Sequence, residues 1–298
     1  MAPFLFISHK RLSLNSPCKV NLLLNILGKR PDGYHELETV MLPVPLYDTI
    51  TFERSDAGLQ LSCSDAALPV DDRNLVYRAA KSFFTERGIA PGVRIHLEKR
   101  IPMAAGLGGG SGNAATTLLG LNELFDHALS ADAIAALAAG IGSDVPFFLQ
   151  TNPALATGRG EIIKPLRPFA SLNGFHLIIA HPGFGIPTPW AYQQLGRFPE
   201  ALRGRPGRAE RLIELLRQDI TAASPEFYNS LEGPALRKYP LLALFQRFFR
   251  EAGAVGTLMS GSGSSTFALA PDAASAERIL AGFHDRFGNR IWTRSMPL

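Results

Sequence analysis

The sequence predicts an α+β protein of two domains. Three observations carry that reading. Its 298 residues, 46% of them hydrophobic, are enough for two modest cores. Through the first half, short alternating strands are interleaved with stretches of helical spacing. In the second half the element order becomes β-α-β-β-α-β, the split arrangement of ferredoxin-like domains. The expected boundary lies in Pro153–Pro168, with its Gly-Arg-Gly-Glu turn, giving domains 1–165 and 166–298.

In the first half, RLSLNS, VNLLLNILGKR, LETVML, DTITFE and GLQLSCS read as short strands parted by turn residues. RNLVYRAAKSFFTERG has apolar residues at helical spacing and stops at Gly88, a C-terminal cap. GVRIHLEKRI alternates as a strand, with Val93, Ile95 and Leu97 on one face, and runs into Pro102 and a glycine-rich turn. Helices are expected over Asn113–Leu129 and over SADAIAALAAG, the latter N-capped by Ser130. In the second half, FHLIIAH reads as a buried strand, followed by helices around Trp190–Leu195, Arg208–Gln218 and Leu241–Glu251. VGTLMSG and SSTFALA form a strand pair about a Gly/Ser turn, and a helix, Ala273–Phe287, and a strand, Arg290–Arg294, close the chain.

Composition removes several classes of function. Two cysteines, Cys18 and Cys63, make neither a disulfide framework nor a zinc set, and the seven histidines show no paired-ligand spacing. No stretch reaches the roughly 18 unbroken apolar residues of a membrane span. The apolar run in MAPFLFISHKR is shorter than a secretory core of about 7–15 residues, so a cytoplasmic protein is expected. A net charge of +4 is compatible with an anionic ligand. The arginine-rich stretch Arg197–Arg217 reads as a solvated loop and helix face, with no nucleic-acid or membrane partner expected.

The segment IPMAAGLGGGSGNAATTL packs Gly106, Gly108, Gly109 and Gly110 between a strand and a helix. A glycine turn at a helix N-terminus presents unpaired backbone N–H groups and a partial positive charge, which suits a phosphate. Glycine also removes the Cβ atoms that would hold the phosphate off. Ser111 adds a hydroxyl where the helix begins. The lysine-bearing phosphate loop is excluded, because no lysine follows these glycines. The dinucleotide fingerprint is excluded too, because its third glycine or alanine would fall on Ser111.

Four other stretches hold chemistry-bearing residues, each with two readings. Asp144 in IGSDVPFFL is either an N-cap for the segment after it or a partly desolvated carboxylate able to act as a base. Lys19 in SPCKVNLLL either snorkels to solvent or brings a cation to a site. Tyr34 and His35 in RPDGYHELETV flank a hairpin turn or present a ring to a ligand. Trp190 and Tyr192 in HPGFGIPTPWAY lie on a helix face that packs inward or lines a pocket, with core packing preferred for Trp190.

Taken in order, these stretches resemble the GHMP kinases, the family of galactokinase, homoserine, mevalonate and phosphomevalonate kinases. That family's phosphate loop runs roughly P-x3-G-L-G-S-S-A-A, which stands here as Pro102-x3-Gly106-Leu107-Gly108. The longer GLGGGS loop, together with DGYH and PGxGIPT, is similar to the cytidylyl-specific branch. The resemblance runs from Lys19 to Leu269, and GTLMSGSGSSTFAL matches the family's C-terminal glycine motif.

The resemblance implies a GHMP kinase fold, with a ribosomal-protein-like α/β N-terminal domain and a ferredoxin-like C-terminal domain. It implies ATP-dependent phosphorylation of the 2-hydroxyl of a cytidine-diphosphate-linked methylerythritol, a step of the non-mevalonate isoprenoid route, by a monomer or weak homodimer. Asp144 is then the base, with Lys19 beside it. ATP would be held by Pro102, Met103, Ala104, Ala105, Gly106, Leu107, Gly108, Gly109, Gly110, Ser111, Gly112 and Asn113, with Asn74 and Lys99 flanking the adenine. Mg²⁺ would accompany ATP, with Ser111 as its protein ligand. Tyr34 and Tyr192 would sandwich the cytosine, His35 would bond its edge, and Asn21 and Thr188 would line the acceptor site.

Three positions depart from the branch: Cys18 stands for a more usual alanine, Gly112 for a second serine, and Ser230 in EFYNSLEG for an aspartate. Two alternatives stay open: a GHMP kinase with a smaller acceptor, and a non-catalytic nucleotide- or RNA-binding module.

Overall fold

The computed structural model describes residues 4–8 and 11–298, with the side chains of 4–8 left aside. In chain order the elements are β1 (Phe4–Ser8), β2 (Arg11–Lys29), β3 (His35–Arg54), β4 (Leu59–Cys63), α1 (Leu75–Arg87), β5 (Val93–Glu98), α2 (Gly109–Leu124) and α3 (Ala131–Ile141). They continue with β6 (Ala154–Thr157), β7 (Ile162–Pro165), β8 (His176–His181), α4 (Thr188–Gln194), α5 (Arg208–Leu216), α6 (Ile220–Ala223), β9 (Tyr228–Asn229) and α7 (Glu232–Lys238). The last five are α8 (Pro240–Glu251), β10 (Gly256–Met259), β11 (Thr266–Ala270), α9 (Ala273–Phe287) and β12 (Trp292–Pro297). No helix among the described residues is long and apolar enough to cross a membrane.

Four expected short strands are two long ones. RLSLNS and VNLLLNILGKR are both β2, and LETVML and DTITFE are both β3. Pro43 and Pro45 suggested a break, yet β3 continues through them. Its ladder to β6 covers Thr39–Met41 and its ladder to β5 covers Thr49–Arg54, so neither asks a proline for an N–H.

The expected boundary at residue 165 falls inside one of the two compact units. The chain forms two compact units that are interleaved in sequence: 1–18, 46–101 and 108–151 make one, and 19–45, 102–107 and 152–298 the other. The chain passes from one unit to the other between residues 18 and 19 and between residues 45 and 46.

The first unit holds α1, α2, α3 and β5. Its caps match the sequence reading. Gly88 ends α1 in the left-handed conformation at φ 64°, and the Ser130 hydroxyl accepts from Ala133 N. Val93, Ile95 and Leu97 of β5 are buried, with Arg94 and His96 exposed between them. Helix α2 departs from expectation at both ends, running Gly109–Leu124 instead of Asn113–Leu129. It stops early because Asp126 and His127 adopt positive φ, and the Asn122 carboxamide bonds both the N–H and the C=O of Leu129.

In the second unit the strand order β10-β11-β8-β12, every neighbour antiparallel, is the ferredoxin-like order reached by the predicted β-α-β-β-α-β chain. Helices α8 and α9 bury Phe245, Phe249 and Phe283 against Ile178, Ala180, Ala268 and Ala270, with the Phe249 and Phe283 rings stacked at 5.1 Å. Each such ring contributes about 1.5–3 kcal/mol by leaving water. Helix α5 has only Gly207 at its N-cap, and the missing acceptor comes from β3: Glu38 takes hydrogen bonds from Ala209 N at 3.0 Å and Asn25 Nδ2 at 2.8 Å. The arginines of this helix are engaged as well, with Arg211 2.8 Å from Glu226.

Gly120 in α2 tests the packing of the first unit. A Cβ there would lie 2.5 Å from Phe52 Cε2 and 3.1 Å from Leu14 Cδ1. In an open helix, alanine in place of glycine gains about 1 kcal/mol. Here overpacking, about 1–3 kcal/mol, wins. Gly120→Ala is therefore expected to lower the urea midpoint; an unchanged or raised midpoint refutes the packing argument.

Candidate active site

The glycine loop opens where β5 ends. Its first half, Pro102–Leu107, belongs to the second unit, and the chain enters the first unit at Gly108. Gly108 is the N-cap of α2, left-handed at φ 68°. Gly109, Gly110 and Ser111 are therefore the first helical turn, not a loop before it. Their N–H groups have no acceptor within the helix, whereas Gly112 N donates to Gly108 O at 2.8 Å. This is the anion-binding geometry expected of a strand–glycine–helix turn.

Most of the glycines answer to the protein as well as to a ligand. Gly106 has φ +75°, and a Cβ on it would fall 1.9 Å from the Ser260 carbonyl oxygen. A Cβ on Gly109 would meet Ile101 Cγ2 at 2.9 Å, and one on Gly112 the Pro17 carbonyl oxygen at 2.3 Å. Gly110 has ordinary room, with Leu75 Cδ1 at 3.5 Å. Close phosphate approach therefore does not account for the whole glycine run: within it, backbone and side-chain crowding also bears on Gly106 and Gly109, and just after it on Gly112.

Within the first unit, Asp48 is the residue the sequence reading missed. It is fully buried and accepts from Arg100 N at 2.7 Å, Ile101 N at 2.9 Å and Asn113 Nδ2 at 2.9 Å, and it pairs with Lys99 Nζ. Asn113 also donates to Ser16 Oγ at 2.9 Å. One carboxylate thus ties the end of β5 to the start of α2. The available signal was an aspartate set within the apolar run PLYDTITF. Asn74 serves as the N-cap of α1, its Oδ1 accepting from Val76 N and its Nδ2 donating to Pro69 O. Asp144 is half-buried beside the buried Val145, Phe147 and Phe148. The N-cap of the short 3₁₀ turn Pro146–Leu149 is Val145, the residue after Asp144.

Within the second unit, Lys19 is buried, not snorkelling. Its Nζ donates to Asn21 Oδ1 at 2.6 Å and to Gly106 O at 3.3 Å, and Asn21 Nδ2 donates to Thr39 Oγ1 at 2.8 Å. Burying an ammonium is costly unless hydrogen bonds compensate it. Asn21 therefore orients the cation with both ends of its amide in use. Cys18, which belongs to the first unit, is fully buried, in keeping with a packing role.

The loop half Pro102–Leu107 is joined by backbone bonds to both other glycine segments of this unit: Ile186 N to Ala104 O at 3.3 Å and Ser265 N to Ala105 O at 3.0 Å. Thr188 Oγ1 lies 3.0 Å from Ser262 Oγ. His35 and Tyr192 meet with ring centroids 5.2 Å apart. Tyr34, 52% exposed, has the Arg159 guanidinium 4.7 Å from its ring centroid, a partner not expected from sequence. Trp190 packs in the core with Tyr239 as expected. Burial, and then the charge of Lys29, holds the His35 imidazole below its ordinary pKa, so the ring is neutral at pH 7.

The comparisons with known proteins follow the same line. The family described as GHMP kinases N terminal domain matches residues 74–152, and GHMP kinases C terminal matches 198–289. The 4-diphosphocytidyl-2-C-methyl-D-erythritol kinase of Shouchella clausii (strain KSM-K16) is 42% identical over 279 residues, 92% of each chain. That of Synechococcus sp. (strain JA-3-3Ab) is 41% identical, over 86% of this chain and 84% of its own. A crystal structure of 4-(cytidine 5'-diphospho)-2C-methyl-D-erythritol kinase matches with a TM-score of 0.76 at 37% identity, covering 96% of this chain and 99% of the other. A homoserine kinase from Cytophaga hutchinsonii, at 19% identity and a TM-score of 0.72 over 98% and 95%, shares the fold.

Gly112 now has a physical account. With Pro17 O 2.3 Å from any Cβ, a serine cannot enter without moving the backbone. Gly112→Ser is expected to lower thermal stability and to bring no gain in ATP affinity by calorimetry. Tighter ATP binding at unchanged melting temperature would overturn the steric explanation.

Proposed function

The chain belongs to the GHMP kinases, among the 4-diphosphocytidyl-2-C-methyl-D-erythritol kinases, and from that premise we propose how its residues divide the work. The enzyme is an ATP-dependent small-molecule kinase that phosphorylates the 2-hydroxyl of 4-diphosphocytidyl-2-C-methyl-D-erythritol. The hydroxyl oxygen attacks the γ-phosphorus, its proton passes to the Asp144 carboxylate, and ADP leaves. There is little covalent work for the protein to do, so catalysis is positioning and electrostatics.

The observation that carries this reading is the buried Lys19 ammonium, fixed by Asn21 and the Gly106 carbonyl of the phosphate loop. It supports a role for Lys19 as the cation that stabilises charge developing on the acceptor and the transferred phosphoryl. The N–H groups of Gly109, Gly110 and Ser111 suit the phosphates, and Gly110 leaves the most room for them. Lys99 and Asn74 serve the nucleotide from positions held by Asp48 and by the α1 cap. Tyr34, His35 and Tyr192 take the cytosine, and Thr188 contacts the acceptor.

A magnesium ion fits the donor set at Ser111, a hard hydroxyl oxygen on the first turn of α2. Mg²⁺ keeps several waters and binds chiefly through nucleotide phosphates. No group of three or more histidine, cysteine or acidic side chains suited to a metal occurs among the described residues. The ion would neutralise charge on the β- and γ-phosphates.

A coupled ADP-release assay with the cytidylyl acceptor, homoserine and mevalonate tests the substrate. ATP turnover is expected only with the first. Asp144→Asn is expected to lower kcat by about 10²–10⁴-fold, the range for a lost general base, with ATP affinity retained. Near-normal turnover removes Asp144 from that role. The lowered pKa of His35 sets a pH dependence. KM for the acceptor is expected to stay flat above pH 7 and to rise in acid, below the ordinary imidazole value of about 6.5, as the ring gains its proton. His35→Gln should flatten that rise; an unchanged acid limb assigns it to another group.

A further inference from the structure

The segment EFYNSLEG is not used by the reaction as described, yet it holds the third glycine turn. Asn229 is 2% exposed, in β9 beside Leu24 of β2. Its Nδ2 donates to two carbonyls of one turn, Met259 O at 2.8 Å and Gly261 O at 2.7 Å. Its Oδ1 accepts from Leu231 N at 2.9 Å, so both ends of the amide are committed and its orientation follows from its partners. Glu232 grips the same turn by accepting from Met259 N at 2.8 Å. Ser230, the residue that replaces an aspartate, docks the segment on β2: its N–H donates to Leu24 O and its hydroxyl accepts from Ile26 N.

The turn held in this way reaches the proposed catalytic lysine. Ser260 Oγ donates to Gly106 O at 2.9 Å, and that same carbonyl accepts from Lys19 Nζ. A Cβ on Gly261 would stand 3.3 Å from Lys19 Nζ. A displacement of the turn therefore moves both the loop carbonyl and the ammonium bonded to it.

We propose that Asn229 is a positioning residue for phosphoryl transfer, acting through Ser260 and the Gly106 carbonyl on Lys19. The proposal rests on the reading of Lys19 as the catalytic cation. Misplacing a reacting group by about 1 Å costs up to a hundredfold in rate. Asn229→Ala and Ser260→Ala are each expected to lower kcat about tenfold to a hundredfold, with both KM values within about twofold. Because the two residues act along one line, the double variant should lose no more than the worse single.

Steady-state kinetics on the four members of this cycle, with Lys19→Met beside them, decides the matter. If Asn229→Ala does not fold, Asn229→Asp replaces it at pH 8, keeping the volume and the Leu231 bond but losing both donors. Losses that multiply in the double variant, or an unchanged kcat in the Asn229 variant, overturn the proposal while an inactive Lys19→Met leaves the lysine reading standing. An active Lys19→Met removes that reading and the proposal with it.

Discussion

The carbonyl oxygen of Ser260 sits where a side chain on residue 106 would begin, and the geometry of the loop half Pro102–Leu107 depends on that contact. Only glycine, at φ +75°, lets two backbones come so close. The approach aligns a short series of bonds: Ser260 Oγ to Gly106 O, Ser265 N to Ala105 O, and Ile186 N to Ala104 O. Backbone carbonyls withdrawn from water need partners, and these three, of which that of Ala105 belongs to a buried residue, find theirs in two loops far away in sequence. The same Gly106 carbonyl helps hold Lys19. One close contact thus shapes the loop and steadies a buried charge.

In the first unit the comparable centre is Asp48. Its partners are two backbone N–H groups at the end of β5, the Asn113 amide in α2, and Lys99. Lys99 Nζ lies 3.6 Å from where a Cβ on Gly109 would stand, close to the positive end of α2. A cation there is disfavoured by the helix dipole, so a neighbouring carboxylate offsets it. Removing one partner of a buried ion pair costs about 3–5 kcal/mol, which makes Asp48 and Lys99 dependent on each other.

The rings around Tyr34 follow a different logic. Tyr34 is exposed and leans on Arg159 from the Gly158–Gly160 turn, a cation–π contact worth about 0.5–1 kcal/mol at such a site. His35 and Tyr192 pair with each other, and burial keeps His35 neutral. An exposed ring with its face set by a guanidinium suits stacking on a base, where each stacked base contributes about 1–3 kcal/mol.

Much of this protein was legible from residues alone. Alternation and caps identified β5, α1, α3 and α9 nearly residue by residue, because local spacing and a single Gly88 or Ser130 set them. The element order gave the ferredoxin-like sheet, since short antiparallel connections leave few other arrangements. The motifs in their order pointed to the kinase family. What escaped was everything that depends on distant partners. Pro43 and Pro45 suggested a break in β3 that its ladders to β5 and β6 do not need, and the interleaving of the units in sequence came with the long strands. A buried lysine looks like a snorkelling one until Asn21 and Gly106 are placed around it. Asp48 and Asn229 bear no motif, because their role is to satisfy backbone groups whose positions exist only after folding. The sequence by itself determined the elements set by local spacing and caps, and which family they build. Tertiary structure decided which glycines are compulsory and which polar side chains hold the loops, because close approach and buried hydrogen bonding are properties of assembled backbones.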